Sequence, residues 1–303
     1  MKPPPDTTLL ATEQVQTQHA HLNRYASLEL VRAFAEDQQQ AVAAVLGASV
    51  QIAAAVDAAV ERLRLGGRLI YLGAGTSGRL GVLDGVELIP TFSWPEQRTV
   101  TLIAGGPGAM YRAVEGAEDD PELAVHDLSS VQLAAPDVTV ILAASGTTPY
   151  ALGGAAYARR TGALSIGITN NPDSPLSAAV DCPVELPTGP EVISGSTRLK
   201  AGTAQKIALN TFSSAVMVRL HKVHGNLMVD LQVTNAKLRQ RAIRLTQHVT
   251  QQGPESAENL LNAADFEVKT AIVMHFARVG SAEARVRLSE AQGDTEVALQ
   301  ARE

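Results

Sequence analysis

Three short glycine turns rich in hydroxyls constrain this chain more than any other feature: Gly73-Ala74-Gly75-Thr76-Ser77-Gly78, Ser145-Gly146-Thr147-Thr148 and Ser194-Gly195-Ser196-Thr197. The first two directly follow an apolar, strand-like run and precede a helical pattern. Such a turn gathers unpaired backbone N–H groups, hydroxyls and the positive end of a helix dipole at one place. A small anion, most simply a phosphate monoester, is what that place binds. Several such turns in one α/β domain point to a sugar-phosphate site.

The surrounding pattern supports a parallel sheet. Leu28 to Arg64 carries apolar residues at helical spacing and predicts two helices broken near Gly47. Strands are expected at Arg68–Leu72, Thr99–Ile103, Asp137–Ala143, Leu164–Thr169 and Cys182–Leu186. Helices are expected at Ser77–Glu87, stopped by Pro90, and at Tyr150–Arg160. Strands alternating with helices through short links imply a sheet covered on both faces, with ligands at the carboxyl ends of the strands. After Thr197 the character turns helical: Leu199–Leu220, Asn226 to about Thr250, and three or four short helices from Ser256 to Ala301. Gln251 to Glu255 reads as a linker. The expected architecture is therefore an α/β three-layer sandwich over residues 1–250, with a small C-terminal helical subdomain over 251–303.

Composition narrows the class. The 303 residues, 45% hydrophobic and 18% charged, suit a soluble globular enzyme. A net charge of −6 argues against a nucleic-acid or anionic-membrane surface. Cys182 is the single cysteine, which excludes an internal disulfide and a thiolate metal cluster. There is no run of 18 apolar residues and no signal peptide, and Met1 to Pro5 reads as a frayed leader. A cytoplasmic location is expected.

Gly73, Gly75 and Gly78 also satisfy the dinucleotide spacing, but the next strand runs into Ala104-Gly105-Gly106 rather than into an acid that would hold a ribose. Thr76 and Ser77 suit a terminal phosphate better than a pyrophosphate. Ser145 and Thr148 are expected both to cap the following helix and to bind phosphate, since the two use one geometry. Asp84 with Glu87, and Glu115 with Glu118, are acid pairs one helical turn apart, as elimination or isomerisation requires. His221 and His224 lack the spacing and the third ligand of a metal site.

The blocks Leu72 to Gly81 with Asp84 and Glu87, Ala113 to Asp119, Gly189 to Val192, Gly195 to Arg198, Lys200 to Lys206, and Lys222 to Asp230 together resemble the N-acetylmuramic acid 6-phosphate etherase family. The resemblance runs from about Leu28 to the C-terminus. It implies a sugar-isomerase (SIS) domain, a homodimer and a phosphorylated amino sugar as substrate. It also implies cleavage of a D-lactyl ether during cell-wall recycling, with no metal or redox cofactor. By the same resemblance Glu87 falls on the proton donor and Glu118 on the second active-site acid. Ser77, Ser145 and Thr148 fall on the phosphate site. Gly75, Thr76, Thr147, Glu191, Ser194, Ser196 and Thr197 complete the expected substrate-binding set.

The chemistry follows from the substrate. An open-chain aldehyde acidifies the C2 proton, one carboxylate removes it, lactate leaves C3, and water adds back. Glu118 as base and Glu87 as acid is the first assignment, with the reverse open. The acid requires a partly apolar setting, expected from Leu83, Val86, Leu88 and Ile89. The chain departs from the family at Thr147, where arginine is usual, and at Gly85-Val86, where Ala-Ser is usual. A phosphosugar isomerase and a non-catalytic sugar-phosphate sensor are the alternatives.

Overall fold

The computed structural model describes residues 10–300; the Met1 to Pro5 leader lies outside them. Cα packing divides the chain into two compact units. The first comprises residues up to Gly85 together with Gln97–Ser213. The second comprises Val86–Glu96 and Ser214 onward. Position 250, the boundary expected from composition, falls within the second unit.

The first unit opens with three helices, α1 (Ser27–Asp37), α2 (Gln39–Gly47) and α3 (Ser49–Arg64), where the sequence predicts two. There follow β1 (Leu69–Gly73), α4 (Gly75–Phe92), β2 (Thr99–Ile103), α5 (Pro121–Ser130), β3 (Val138–Leu142), α6 (Pro149–Thr161), β4 (Leu164–Thr169), α7 (Pro175–Ala179), β5 (Cys182–Glu185) and α8 (Lys200–Arg219). The five strands form one parallel sheet in the order β2-β1-β3-β4-β5. Adjacent side chains of β1 reach opposite faces. A Cβ added at Gly154 of α6 would meet Leu72, whereas one added at Gly81 of α4 would meet Tyr71. β1, β3 and β4 are buried on both faces, and the expected α/β sandwich is what the chain forms.

Two boundaries differ from the sequence reading. α4 runs through Pro90 to Phe92. Pro90 removes only the bond back to Val86, and three residues later Ser93 takes φ 48° and ends the helix. α5, which the sequence reading lacks, starts on an Asp-Pro signal: Asp120 accepts 2.9 Å from the N–H of Glu122, and Pro121 occupies the first helical position.

The second unit also contains α9 (Ala236–Thr250), α10 (Pro254–Ala263), α11 (Val268–Ala277), α12 (Ser281–Glu290) and α13 (Thr295–Leu299). The helix expected from Asn226 begins only after Asn235, whose side chain caps the N–H of Leu238 at 2.9 Å. The irregular stretch before it lies in the core, with Val229 and Leu231 buried beside Ala242, Leu261 and Ile272. The expected linker is short, since Pro254 already starts α10. Among the described residues no single helix is long and apolar enough to cross a membrane.

Candidate active site

At the carboxyl ends of β1 and β3 the first unit holds a cavity of about 340 Å³. Its wall brings together Gly75, Thr76 and Ser77 from the first turn, Ser145, Thr147 and Thr148 from the second, and Thr197 from the third. Glu118 lines the same cavity, joined by Glu13 and Asp119. Gly75 takes φ 53° as the chain turns into α4, and the N–H groups of its first turn have no partner within the helix. The lining contains no lysine or arginine. An anion in this cavity is therefore held by N–H groups, hydroxyls and the helix dipole rather than by a cation.

The second turn is organised around Ser145. Its Oγ accepts from the N–H and from the hydroxyl of Thr147, each at 3.1 Å, and lies 3.4 Å from Oγ1 of Thr148. Thr148 stands at the N-cap of α6, just before Pro149, without capping the helix through its side chain, a correction to the expected double role. Gly146, at φ 71°, lets the turn lie against Ser174, which a Cβ there would meet at 2.3 Å.

The remaining sequence candidates are placed elsewhere. Glu191 is fully buried, and its carboxylate accepts from the N–H groups of Lys200 and Ala201 at 3.1 and 2.9 Å. It closes the start of α8 and does not line the cavity. Ser194 accepts 3.0 Å from the N–H of Gln16, and neither Ser194 nor Ser196 lines the cavity. Asp84, an acid-pair candidate, is 3% exposed and accepts from Tyr71, Asn210 and Ser213. Burial raises its carboxyl above the ordinary range despite those bonds. Glu115 is exposed and does not line the cavity.

Glu87 belongs to the second unit. It is exposed, and Leu83 and Val86 on the same helix are 49% and 55% exposed. The apolar enclosure expected around it is not formed by these neighbours. His221 meets Asp294 at 3.2 Å and His224 meets Thr295 at 2.8 Å. Among the described residues no group of three His, Cys, Asp or Glu is arranged to hold a metal.

Two residues that position the site are not among the expected site residues. Asn171, buried after β4, donates 2.9 Å both to Oγ1 of Thr12 and to the carbonyl of Ala144. It thereby ties the N-terminal segment to the second turn and brings Glu13 to the cavity. Gln205 on α8 accepts 2.8 Å from the hydroxyl of Ser77. Only tertiary contact reveals these roles.

A larger cavity, about 950 Å³, lies within the second unit. Its charged lining residues are already paired: Lys222 and Lys269 on Asp230, Arg285 on Asp265 and Glu267, and Arg239 on Glu258 outside the lining. It contains none of the strand-end turns, so the smaller cavity is the better candidate for an anionic substrate.

Residues 51–159 match the glucokinase regulatory protein N-terminal SIS domain, 118–215 the SIS domain, and 225–272 the C-terminal lid domain of glucokinase regulatory protein. An N-acetylmuramic acid 6-phosphate etherase of Deinococcus radiodurans is 57% identical over 282 residues, 93% of this chain and 92% of the relative. One of Mycolicibacterium smegmatis is 49% identical, covering 97% of this chain and 99% of the relative. Among solved structures, a phosphoheptose isomerase from Francisella tularensis shares the fold with a TM-score of 0.52 at 18% identity. That match covers 64% of this chain and all of the other.

Proposed function

The chain belongs to the N-acetylmuramic acid 6-phosphate etherase family, and we propose on that premise that it cleaves the D-lactyl ether of N-acetylmuramic acid 6-phosphate. The products are N-acetylglucosamine 6-phosphate and D-lactate, and the enzyme is a carbon–oxygen lyase. The observation that carries the reading is the lining of one cavity by Glu118 and by the hydroxyls of both strand-end turns.

The phosphate sits against Gly75, Thr76, Ser77, Ser145 and Thr148. The sugar chain extends from there toward Glu118. Once the ring opens, the C1 aldehyde acidifies C2–H, and Glu118 takes that proton as the general base. The electron pair forms the C2–C3 double bond and the lactyl oxygen leaves C3, taking up a proton as it goes. Water then adds to C3 and a proton returns to C2, so the sugar is restored with a hydroxyl in place of the ether. The elimination and the hydration each turn on proton transfer at C2, for which Glu118 is the base in the cavity.

The reading extends to a homodimer working in the cytoplasm in cell-wall recycling. Val31, Val42, Leu46 and Val50 support the dimer: they are 50 to 82% exposed on α1 to α3, more apolar surface than isolated exposed side chains account for. A phosphorylated sugar does not cross a bilayer unaided, which supports action in the compartment where it is made.

Release of D-lactate from N-acetylmuramic acid 6-phosphate by the purified chain tests the proposal. Enzymatically detected lactate is expected, with turnover at least ~100-fold lower in Glu118→Gln, the usual scale for loss of a general base. Ketose formation without lactate would replace the etherase by an isomerase.

A further inference from the structure

Ser77 lines the phosphosugar cavity with its hydroxyl proton already committed. That proton is donated over 2.8 Å to Oε1 of Gln205, and a serine has only one to give. A phosphate dianion is an acceptor throughout, so the Ser77 hydroxyl in this state offers it no hydrogen bond. Gln205 itself has no exposed surface, and its Nε2 has no hydrogen-bond partner. A buried amide nitrogen without an acceptor is unfavourable.

Both facts have one resolution. Turning the Gln205 amide by half a turn exchanges Oε1 and Nε2, so that Nε2–H faces Oγ of Ser77. Ser77 then accepts from Gln205, and its own proton is released toward the cavity. We propose that Gln205 is a positioning residue that converts Ser77 from a donor to the protein into a donor to the substrate's phosphate, by turning its amide from acceptor to donor. This inference rests on the reading of the cavity as a phosphosugar site.

The two ends of the coupling lie on different helices. Ser77 is in the first turn of α4, where it adds to the free N–H groups. Gln205 is one turn into α8, behind the start that Glu191 closes. No charge is involved, so the coupling costs no desolvated ion. Arginine or lysine is absent from the cavity lining, which leaves donor orientation as the means of recognising the dianion.

Calorimetric titration of the full chain with N-acetylglucosamine 6-phosphate, and with unphosphorylated N-acetylglucosamine as control, tests the coupling. Ser77→Ala is expected to weaken the phosphosugar by about 10- to 100-fold, the range of a hydrogen bond to a charged group. Gln205→Glu, which only accepts while ionised, is expected to match that loss and to add nothing in the Ser77→Ala background. Its affinity should recover as pH falls and the introduced carboxyl gains a proton to donate. Gln205→Met, of similar size and no hydrogen-bonding capacity, is expected to cost about threefold, again with no effect once Ser77 is gone; it carries the test alone if Gln205→Glu does not fold. Losses at Gln205 that persist unchanged in Ser77→Ala would reduce the residue to packing and overturn the inference, leaving the phosphosugar reading intact. No loss in Ser77→Ala itself would overturn the phosphate site and the inference together.

Discussion

Gly73 at the end of β1 and Gly78 in the first turn of α4 approach so closely that a Cβ on Gly78 would stand 2.5 Å from the carbonyl oxygen of Gly73 and 2.8 Å from Ile103. The contact with Gly73 is backbone against backbone, which has no flexible atom to give way. It sets the start of α4 against the strand end, and with it the N–H groups that face the cavity. Gly78→Ala is expected to lose about 1–3 kcal/mol, as overpacked sites do. Phosphosugar affinity should fall in parallel, read by thermal melting and by titration. A variant with native stability and affinity would show that the close approach does not position the site.

Lys200 and Asp37 form an ion pair of 2.8 Å with Lys200 fully buried and Asp37 8% exposed. Gln40 also accepts from the ammonium at 2.9 Å. Lys200→Met leaves an uncompensated buried carboxylate and is expected to destabilise by about 3–5 kcal/mol, whereas Lys200→Met with Asp37→Leu should recover most of that loss. Chemical denaturation of the native chain, the two single variants and the double variant measures the cycle.

Asp137 has a carboxyl held below its ordinary range. Burial pushes it upward, but hydrogen bonds from the Arg68 guanidinium and the N–H groups of Ala134 and Arg68 outweigh it. A depressed folded value contributes stability above the unfolded carboxylate value near ~4 and loses it as pH falls through the folded one. The stability difference between the native chain and Asp137→Asn should therefore be largest near neutrality and shrink below about pH 4. A difference independent of pH would contradict the assignment.

Thr147 stands in the cavity wall, where the family resemblance leads arginine to be expected. A guanidinium there would add a charge-assisted contact of about 1.5–3 kcal/mol to an anionic substrate. Thr147→Arg should lower the KM for the phosphorylated substrate by roughly 10-fold or more on that scale, with kcat little changed. An unchanged KM would place the substrate's charges elsewhere.

The legible part of the fold was the sheet. The expected strands agree with those observed to within a residue or two, since continuously apolar runs between glycine turns have few other ways to fold. What the sequence concealed depends on tertiary contact. Asp84 and Glu118 look alike as members of acid pairs. Yet Tyr71, Asn210 and Ser213 enclose the first, while the second remains in the cavity. Glu191 lies in as strong a motif as Thr197, but the two free N–H groups of α8 occupy it. Asn226 to Asn235 has helical spacing and is drawn into the core of the second unit as irregular chain instead.

The central claim is that Glu118 removes the C2 proton of N-acetylmuramic acid 6-phosphate before the ether breaks. Running the reaction in deuterated water and locating the label by NMR tests it most directly. The account predicts one deuterium at C2 of N-acetylglucosamine 6-phosphate for each D-lactate released, with both falling together in Glu118→Gln. Lactate released with the original hydrogen still at C2 would contradict it, because the ether would then have been cleaved without the elimination that Glu118 is placed to start.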